Sequence, residues 1–302
     1  MNSLRQSRLT LQQREGLTGY AFILPNLIGI CVFVILPMVM SFVLSLSKWS
    51  IPRGFAGSEF VGLRNFAKLI SDERFLASIG NNLYYTFGSV PILLVLSILL
   101  AVALNKSVYC RSALRILFFM PNISSIVSVA VVWLVFFHPT AGPVNMLLRS
   151  IGISNPPGWF ISTDWVIPGL ILMSIWYSTG YYMLVFLAGL QSIPNDLYES
   201  ADIDGASAWK KLISITLPML SPTIFFVVIV STINSFKIFD QVNIMTEGGP
   251  GYSSSVLVYI IYYYAFKKFE MGYASAVAWI LFVIIFFFTL IQWRGQKKWV
   301  TY

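Results

Sequence analysis

Six long apolar runs dominate this chain and restrict what it can fold into. Each run has about 20 residues, enough for a helix to cross a hydrocarbon layer of about 30 Å. The runs extend approximately over residues 20–46, 82–104, 114–137, 166–190, 218–239 and 273–293. Charged residues make up only 11% of the 302 residues, whereas soluble domains average about 25%. The predicted fold class is therefore an all-α membrane protein with six transmembrane helices.

Two of the runs are interrupted, and one further apolar segment is too short to span. The first run exceeds the apolar core of a signal peptide, which has about 7–15 residues. We therefore predict an uncleaved spanning helix that is kinked at Pro25 and Pro37. Polar residues and a proline break the third run at Pro121–Ser125. The short apolar segment 256–266 is predicted to lie at the membrane interface.

The distribution of lysine and arginine predicts the orientation of the chain. Six spans place both termini on one side, and cytoplasmic loops carry the excess of cations. The cations of the favoured side are Arg5, Arg8, Arg14, Lys106, Arg111, Arg115, Lys210, Lys211, Arg294, Lys297 and Lys298. The loops of the other side carry fewer cations per residue. Both termini are therefore predicted to be cytoplasmic.

Several function classes lack their sequence signals. The chain contains no G-x-x-x-x-G-K-[ST] segment, so it has no phosphate-binding loop of its own for ATP. The only histidine, His138, is expected to be an interfacial loop residue, and Cys31 and Cys110 lie in different environments. The basic residues form no stripe, which argues against nucleic acid as a partner. We predict that the chain is not an enzyme and binds no cofactor or metal.

One polar stretch separates the fourth and fifth apolar runs. This polar loop, residues 193–218, reads IPNDLYESADIDGASAWKKLISITLP. Asp196 and Glu199 have the spacing of a capping box that would start a first short helix. Gly205 is typical of a helix C-cap with positive φ, and Ser207 can cap a second helix. The second helix carries Trp209, Leu212 and Ile213.

The same polar loop carries a family resemblance. Seven positions match, at the right spacings, the loop pattern E-A-A…G…I-x-L-P: Glu199, Ser200, Ala201, Gly205, Ile215, Leu217 and Pro218, with serine at the first alanine. On these residues the chain resembles the permease subunits of ABC importers that work with a binding protein. The segments FVGLRNF (60–66), TEGGPG (246–251) and MGYASA (271–276) look like the sugar-permease branch, of the maltose-permease and glycerol-phosphate-permease type.

The resemblance implies a type I ABC importer permease fold in the cytoplasmic membrane of a prokaryote. Residues 1–19 would be a cytoplasmic segment, 20–293 the permease domain and 294–302 a cytoplasmic tail. It also implies a second permease subunit, two cytoplasmic ATPase subunits that bind ATP and Mg, and an extracytoplasmic solute-binding protein, which work by alternating access. The expected solute is a mono- or oligosaccharide, with glycerol phosphate as a further candidate. The alternative is a self-sufficient channel or secondary carrier for a small polar solute.

The polar loop is the expected contact with the ATPase. Glu199 is placed to pair with a cationic group there, and a helix with apolar anchors can bind in a groove. The expected apolar anchors are Leu197, Ala201 and Ile203, with Trp209 and Leu212 behind them. Two plainer interpretations stay open. Glu199 would then be only a capping residue, and the apolar side chains would pack the loop onto its own bundle.

The fourth and fifth runs carry the candidate solute pathway, because sugars are recognised by aromatic faces with hydroxyl and amide groups. The candidates are Tyr177, Ser178, Tyr181, Tyr182, Ser231, Asn234 and Ser235. In the maltose-type relatives the corresponding helices hold sugar at mid-membrane, and Tyr181 matches them in residue type. In a plainer interpretation the aromatic rings only pack helices. Lys237 and Asp240 are expected to pair with each other, or alternatively to attract an anionic solute.

Overall fold

The computed structural model of this protein describes residues 10–50, 52, 58–105 and 109–300. Arg5, Arg8 and Lys106, which contribute to the predicted orientation, lie outside these ranges, as do residues 1–9 of the predicted N-terminal segment. The side chain of Arg14 is also not described.

Helices form most of the described structure. In chain order they are α1 (Leu11–Ile30), α2 (Leu36–Ser45), α3 (Arg64–Ile70), α4 (Glu73–Asn105), α5 (Arg111–Ile123), α6 (Ile126–Phe136), α7 (Pro143–Ser150), α8 (Val166–Gln191), α9 (Asn195–Ile203), α10 (Ala208–Lys211), α11 (Leu217–Met219), α12 (Ser221–Phe236), α13 (Asp240–Met245), α14 (Leu257–Tyr262) and α15 (Met271–Gln296). Consecutive helices are joined by π-helical turns at Cys31–Ile35, Leu212–Thr216 and Tyr263–Lys267, and Trp159–Ile161 is a 3-10 turn. A two-residue antiparallel ladder pairs β1 (Ser47–Lys48) with β2 (Glu59–Phe60).

Five helical segments are long and apolar enough to cross a membrane: Thr18–Ser45, Glu73–Asn105, Val166–Gln191, Ser221–Met245 and Met271–Gln296. The third apolar run instead forms α5 and α6, which are bent by 96° relative to each other. Pro121 lies inside α5 and lacks an amide donor. The helix ends two residues later, because Ser124 and Ser125 have extended ψ values of 149° and 127°. Six spans result when α5 and α6 together are counted as one span.

The first spanning segment is the least embedded of the five, because its most apolar window has no buried residue. It packs on α15, where the rings of Phe42 and Trp279 meet edge to face at 5.0 Å. Pro25 lies inside the continuous helix α1, whereas Pro37 is the second residue of α2, shortly after the π-helical turn. The kinks predicted at Pro25 and Pro37 stay predictions.

The bundle has two ends, which α4 connects. At its C-terminus, Asn105 lines a cleft together with Trp209 of the polar loop; we call this the loop end. At its N-terminus, Asp72 accepts a hydrogen bond from Tyr273 in the first turn of α15; we call this the far end. Since α4 has 33 residues and a helix rises about 1.5 Å per residue, the two ends are about 50 Å apart.

Both described termini lie at the loop end. The segment that ends at Ser45 contacts the start of α15 at the far end, so its N-terminus points to the loop end. The C-terminal Trp299 packs its ring on Phe225 near the start of α12, with 6.1 Å between the ring centroids. This arrangement is the one that an even number of crossings requires.

Hydrogen bonds to Asp72 hold the far end together. Its Oδ1 accepts from the backbone amides of Arg74 and Phe75 and so caps α4, while its Oδ2 accepts from the hydroxyls of Tyr264 (2.8 Å) and Tyr273 (2.5 Å). Burial alone would raise the pKa of Asp72, but these four hydrogen bonds hold it below its ordinary value. The carboxylate thereby ties the start of α4 to the start of α15.

The segment 256–266 packs against the protein over most of its length, and its predicted interfacial position stays a prediction. Leu257, Tyr259 and Ile260 are at most 2% exposed, and α14 packs against α4 and α15. The side chain of Asn82 in α4 accepts a hydrogen bond from the amide of Leu257 at 2.8 Å. A short apolar helix can bury its side chains against neighbouring helices as well as against lipid, and composition does not distinguish the two.

The helix α8 is the centre of the bundle, with 61% of its most apolar window buried. The hydroxyl of Tyr85 in α4 donates to Ser174 Oγ at 2.6 Å, and Ser97 Oγ donates to the carbonyl of Thr179 at 3.2 Å. On another face, Gly180 lies so close to α5 that a Cβ would overlap the backbone carbonyl of Phe118. Small residues let membrane helices approach in this way.

Candidate functional site

The polar loop folds as two short helices around a glycine turn. After α9, the amide of Gly205 donates to Asp202 O at 3.0 Å and the amide of Ala206 donates to Ala201 O at 2.9 Å. These two bonds form a Schellman motif, and Gly205 has the left-handed φ of +68° that the motif needs. The predicted helix cap at Gly205 is confirmed.

The two helix starts of the polar loop differ in how far they follow the prediction. Ser207 caps α10 as predicted, because its Oγ accepts from the amide of Lys210 at 3.3 Å. The N-cap of α9 is Pro194, without a side-chain hydrogen bond. Asp196 is then the second residue of the helix, so the predicted capping box with Glu199 is wrong. The carboxylate of Glu199 is not used to start the helix.

Two side-chain contacts brace the polar loop. The hydroxyls of Tyr198 and Thr216 are 3.0 Å apart, which joins α9 to the π-helical turn before α11. Lys211 Nζ pairs with Asp202 Oδ1 at 2.5 Å across the glycine turn. Tyr198 also packs against the main core cluster. The two short helices are therefore held to each other and to the bundle.

The polar loop exposes apolar side chains and a carboxylate. Ile203 is 88% exposed, Trp209 69% and Leu197 40%. Glu199 and Ser200 are exposed as well, and no ion pair among the described residues includes Glu199. Ala201, Leu217 and Pro218 are half-buried. Exposed apolar groups that are rimmed by polar ones mark interaction surfaces.

Packing of the polar loop onto its own bundle accounts for Leu212 better than for Trp209 and Ile213. The side chain of Trp209 is 69% exposed and that of Ile213 48%. Leu212 is half-buried and lines, with Trp209, a cleft of about 470 Å³ between the polar loop and the ends of α4 and α8. The polar loop thus leaves an open cleft between itself and the bundle.

A second feature is a polar cavity of about 280 Å³ in the interior of the bundle. It lies between α4, α8 and α12 and opens near the break between α12 and α13. Its polar lining consists of Tyr85, Ser89, Ser174, Tyr177, Ser178, Tyr182, Ser231, Asn234, Ser235, Lys237, Asp240 and Gln241. Hydroxyl, amide and aromatic groups thus surround one space in a largely apolar bundle.

The cavity brings together six of the seven predicted pathway residues, the exception being Tyr181. The Tyr181 side chain is 41% exposed and stacks edge to face on Tyr182, with 5.1 Å between the centroids. Neighbouring residues of a helix point about 100° apart, so Tyr182 can face the cavity while Tyr181 faces outward. Spacing along the chain could not settle which of the two tyrosines faces inward.

Hydrogen bonds fix the orientation of several cavity side chains. The amide of Asn234 donates to Tyr182 Oη at 3.4 Å, and the hydroxyl of Tyr177 donates to Ser124 O at 3.1 Å. The hydroxyl of Ser231 donates to its own helix, and that of Ser235 to Thr86 Oγ1 at 2.9 Å. The serines can therefore act mainly as acceptors, while Asn234, which is exposed, keeps an amide group for a ligand.

Sequence reasoning missed the wall of the cavity that α4 contributes. Tyr85 and Ser89 lie four residues apart, on one face of that helix, and both are buried. A signal was present, because polar residues recur at helical spacing just before and along the second apolar run, at Ser78, Asn82, Thr86, Ser89 and Ser97. Lipid-facing positions would not carry such a row of polar residues.

The expected ion pair between Lys237 and Asp240 is wrong. Among the described residues no ion pair joins them, although both are exposed and both line the cavity. Lys237 follows the last residue of α12 and Asp240 begins α13. The break between the two helices sends the side chains to separate positions. The cavity therefore has one cationic and one anionic group available at its rim.

The polar loop and the cavity share two helices. The chain leaves α8 at Gln191 and enters the polar loop, and α12 begins shortly after that loop ends. The same two helices form walls of the cavity. A displacement of the loop would therefore be transmitted to the cavity along continuous helices.

Comparisons with known proteins agree with this geometry. Residues 70–297 match the family model described as "binding-protein-dependent transport system inner membrane component". The chain is 36% identical, over 96% of its length and 94% of the relative's, to the probable ABC transporter permease protein YesP of Bacillus subtilis. It is 33% identical to the trehalose/maltose transport system permease protein MalF of Thermococcus litoralis, over 93% and 94% of the two chains.

A solved structure extends the likeness to three dimensions. A chain of a bacterial alginate ABC transporter, in complex with an alginate pentasaccharide-bound periplasmic protein, superimposes with a TM-score of 0.83. The two chains are 26% identical, and the match covers 97% of this chain and 98% of the other.

Proposed function

This chain belongs to the family of binding-protein-dependent transport system inner membrane components, and from this premise we propose how it carries its solute. It is a permease subunit of a sugar ABC importer and not the catalytic subunit. In the proposed assembly it pairs with a second permease subunit, two ATPase subunits that bind ATP and Mg, and an extracytoplasmic binding protein that delivers the sugar. The loop end and both termini face the cytoplasm of a prokaryotic cell.

The observation that carries this proposal is the exposed, braced polar loop at the end of the two helices that wall the cavity. Glu199 would pair with a cation of the ATPase, and the apolar side chains of Leu197, Ile203 and Trp209 would enter a groove of that subunit. ATP-driven closure of the ATPase dimer would then move α8 and α12 together. The cavity would open alternately to the two sides of the membrane.

Uptake of radiolabelled sugar tests the function. Vesicles that contain this chain, the second permease subunit and the ATPase should accumulate sugar when ATP and the loaded binding protein are supplied. Uptake by the purified chain alone, without the ATPase, would support the channel or carrier instead.

The solute site is proposed to be the polar cavity. Its volume of about 280 Å³ is close to the lower limit of small-molecule sites, about 300 Å³, so it would hold a single sugar unit. The second permease subunit would extend it. Tyr181 is proposed to face that subunit, which its 41% exposure and its contact with Tyr182 support.

An acidic sugar or sugar phosphate is a second candidate solute. Lys237 lines the cavity and has no ion-pair partner among the described residues, so its ammonium group is available for a carboxylate or phosphate. The solved relative with a TM-score of 0.81 imports the acidic polysaccharide alginate. Competition of neutral and acidic sugars for uptake distinguishes the two candidates.

Asn234→Ala is expected to reduce uptake by about tenfold at low solute concentration. The substitution removes an exposed cavity amide, and the loss of one solute hydrogen bond costs about 1–3 kcal/mol. Initial uptake rates as a function of binding-protein concentration measure the effect. Thr289→Ala is the matched control, because its hydroxyl bonds only to Ile285 O of its own helix. Equal uptake by the Asn234 variant and the control would remove Asn234 from the site.

Glu199→Gln is expected to weaken the ATPase complex or uncouple ATP hydrolysis from uptake. Removing one partner of a buried charge pair costs about 2–5 kcal/mol, and Glu199 has no partner within the described chain. The measurements are ATPase co-purification and solute-stimulated hydrolysis. The matched control Asp204→Asn removes another exposed carboxylate, at the end of the same helix. It should leave ATPase co-purification and solute-stimulated hydrolysis unchanged. Normal coupling in the Gln variant would refute the docking role.

A further inference from the structure

The far end of the bundle carries a basic pocket that neither the loop nor the solute cavity uses. It has a volume of about 590 Å³. Four cationic side chains and one carboxylate line it: Lys48, Arg64, Lys68, Lys268 and Glu270. Among the residues that the structure describes, one ion pair neutralises a charge in this pocket, between Lys68 and Glu270 at 3.4 Å. The pocket therefore has an excess of three positive charges, all on exposed side chains.

Two close backbone contacts shape this pocket. The amide of Gly272 donates to Trp49 O at 3.3 Å, and a Cβ at Gly272 would overlap the carbonyl of Ser47. Asn65 donates from its side chain to the carbonyls of Ser45 and Ser47 at 2.8 and 3.0 Å. The end of the first spanning segment, the start of α3 and the start of α15 are therefore held together around the pocket.

The pocket lies where the first span ends and the last one begins, which is the level at which lipid headgroups are expected. Ser45 ends the first spanning segment and Met271 begins the last one, and the pocket lies between these two points. Trp49 and Tyr273 line it as well. Tryptophan, tyrosine and lysine at the ends of spans are typical of the membrane interface.

A separate apolar cleft lies further along the two membrane-spanning segments that end and begin at the basic pocket. It lies between α2 and α15, has a volume of about 170 Å³ and is lined by Met38, Ser41, Ala278, Trp279 and Phe282. Ala278 and Phe282 follow Tyr273 by five and nine residues, which places them about 8 and 14 Å along the helix. The flanking side chains Val39 and Val43 of α2 are exposed, at 53% and 55%.

We propose that the basic pocket and the apolar cleft together bind one anionic glycerophospholipid. Its phosphate would lie among Lys48, Arg64 and Lys268, and an acyl chain would follow the cleft between α2 and α15. Basic pockets between membrane helices bind anionic headgroups in this way. An acidic protein partner would explain the charges but not the apolar cleft, and a free anion would explain neither the cleft nor the position. The lipid would fasten the otherwise exposed first span to the last one.

The test compares lipids on the purified full-length chain. We expect it to bind phosphatidylglycerol about tenfold more tightly than phosphatidylcholine, measured as bound lipid by native mass spectrometry. The triple variant Lys48→Gln/Arg64→Gln/Lys268→Gln should lose this preference. The matched control Arg294→Gln/Lys297→Gln/Lys298→Gln removes the same charge at the loop end and should keep it. Equal loss in both variants would mean non-specific attraction and would overturn the proposal.

A second variant keeps the charges and fills the cleft. Ala278→Trp should weaken binding of long-chain phosphatidylglycerol about tenfold, while binding of inorganic phosphate stays unchanged. If phosphatidylglycerol binding resists both the triple variant and Ala278→Trp, the site does not exist. If instead the triple variant lowers only the affinity for the acidic surface of a binding protein, the pocket is a protein contact and the lipid proposal is wrong.

Discussion

Gly180→Ala is expected to prevent the chain from accumulating as a folded membrane protein. The added Cβ would overlap the carbonyl carbon and oxygen of Phe118 and approach Phe119 N at 2.9 Å. All three atoms belong to the backbone of α5, so no side-chain rotation can make room, and α5 must move away from α8. Overpacking of this kind costs about 1–3 kcal/mol and sometimes more. Since α8 is the most buried span, we expect the free energy of unfolding to fall by an amount at the upper end of this range.

The measurement is the yield and the unfolding temperature of the full chain in detergent. Gly80→Ala is the matched control, because Gly80 is also helical and a Cβ there meets nothing within 4 Å. That control should be neutral or slightly stabilising, since alanine is the better helix former. A Gly180→Ala protein with the same yield and unfolding temperature as the control would show that α5 and α8 do not pack as described.

Gly205→Val is expected to reduce sugar uptake by more than tenfold while the chain still inserts and folds. Gly205 has a φ of +68°, and a Cβ there would meet nothing within 4 Å, so the penalty comes from the backbone alone. The left-handed conformation costs an L-residue about 1–2 kcal/mol, and a β-branched residue adopts it even less readily. The Schellman turn would open, and α10 would no longer be aligned with α9.

Uptake and ATPase co-purification measure this effect, and asparagine provides the control. Asparagine adopts the left-handed conformation more readily than other residues that carry a Cβ, so Gly205→Asn should keep most of the uptake. Sugar binding by the separate binding protein should be the same in all variants. Wild-type uptake in Gly205→Val would mean that the turn geometry is not needed for coupling.

Local chemistry made several elements predictable. The fourth apolar run, predicted over residues 166–190, is found as Val166–Gln191. The Schellman turn at Gly205 and the cap at Ser207 also appear where residue chemistry puts them. These features depend on neighbouring residues in the chain. The exception is the start of α9, where Pro194 takes the cap position five residues before Glu199. The capping pattern of Asp196 and Glu199 therefore lies two residues too far along the chain to cap this helix.

Features that depend on facing helices were only partly predictable. The polar residues of the fourth and fifth runs do meet in one cavity, but Tyr181 points away from it, and Tyr85 and Ser89 of α4 complete it. Which side of a helix faces inward depends on its rotation against its neighbours. In a membrane helix with apolar residues all round, the sequence pattern contains little information about that rotation.

The sequence by itself determined the number and length of the apolar runs, the two-helix form of the polar loop and the family of the chain, because each depends on residues that are close along the chain or on a motif of known spacing. Only the tertiary structure decided that the third run bends by 96°, that residues 256–266 pack against the protein over most of their length and that Lys237 and Asp240 stay apart. The tertiary structure also decided that cations from three distant segments share one pocket, and that an apolar cleft lies between α2 and α15. These outcomes depend on how separate helices pack against one another, and that packing is a property of the whole bundle.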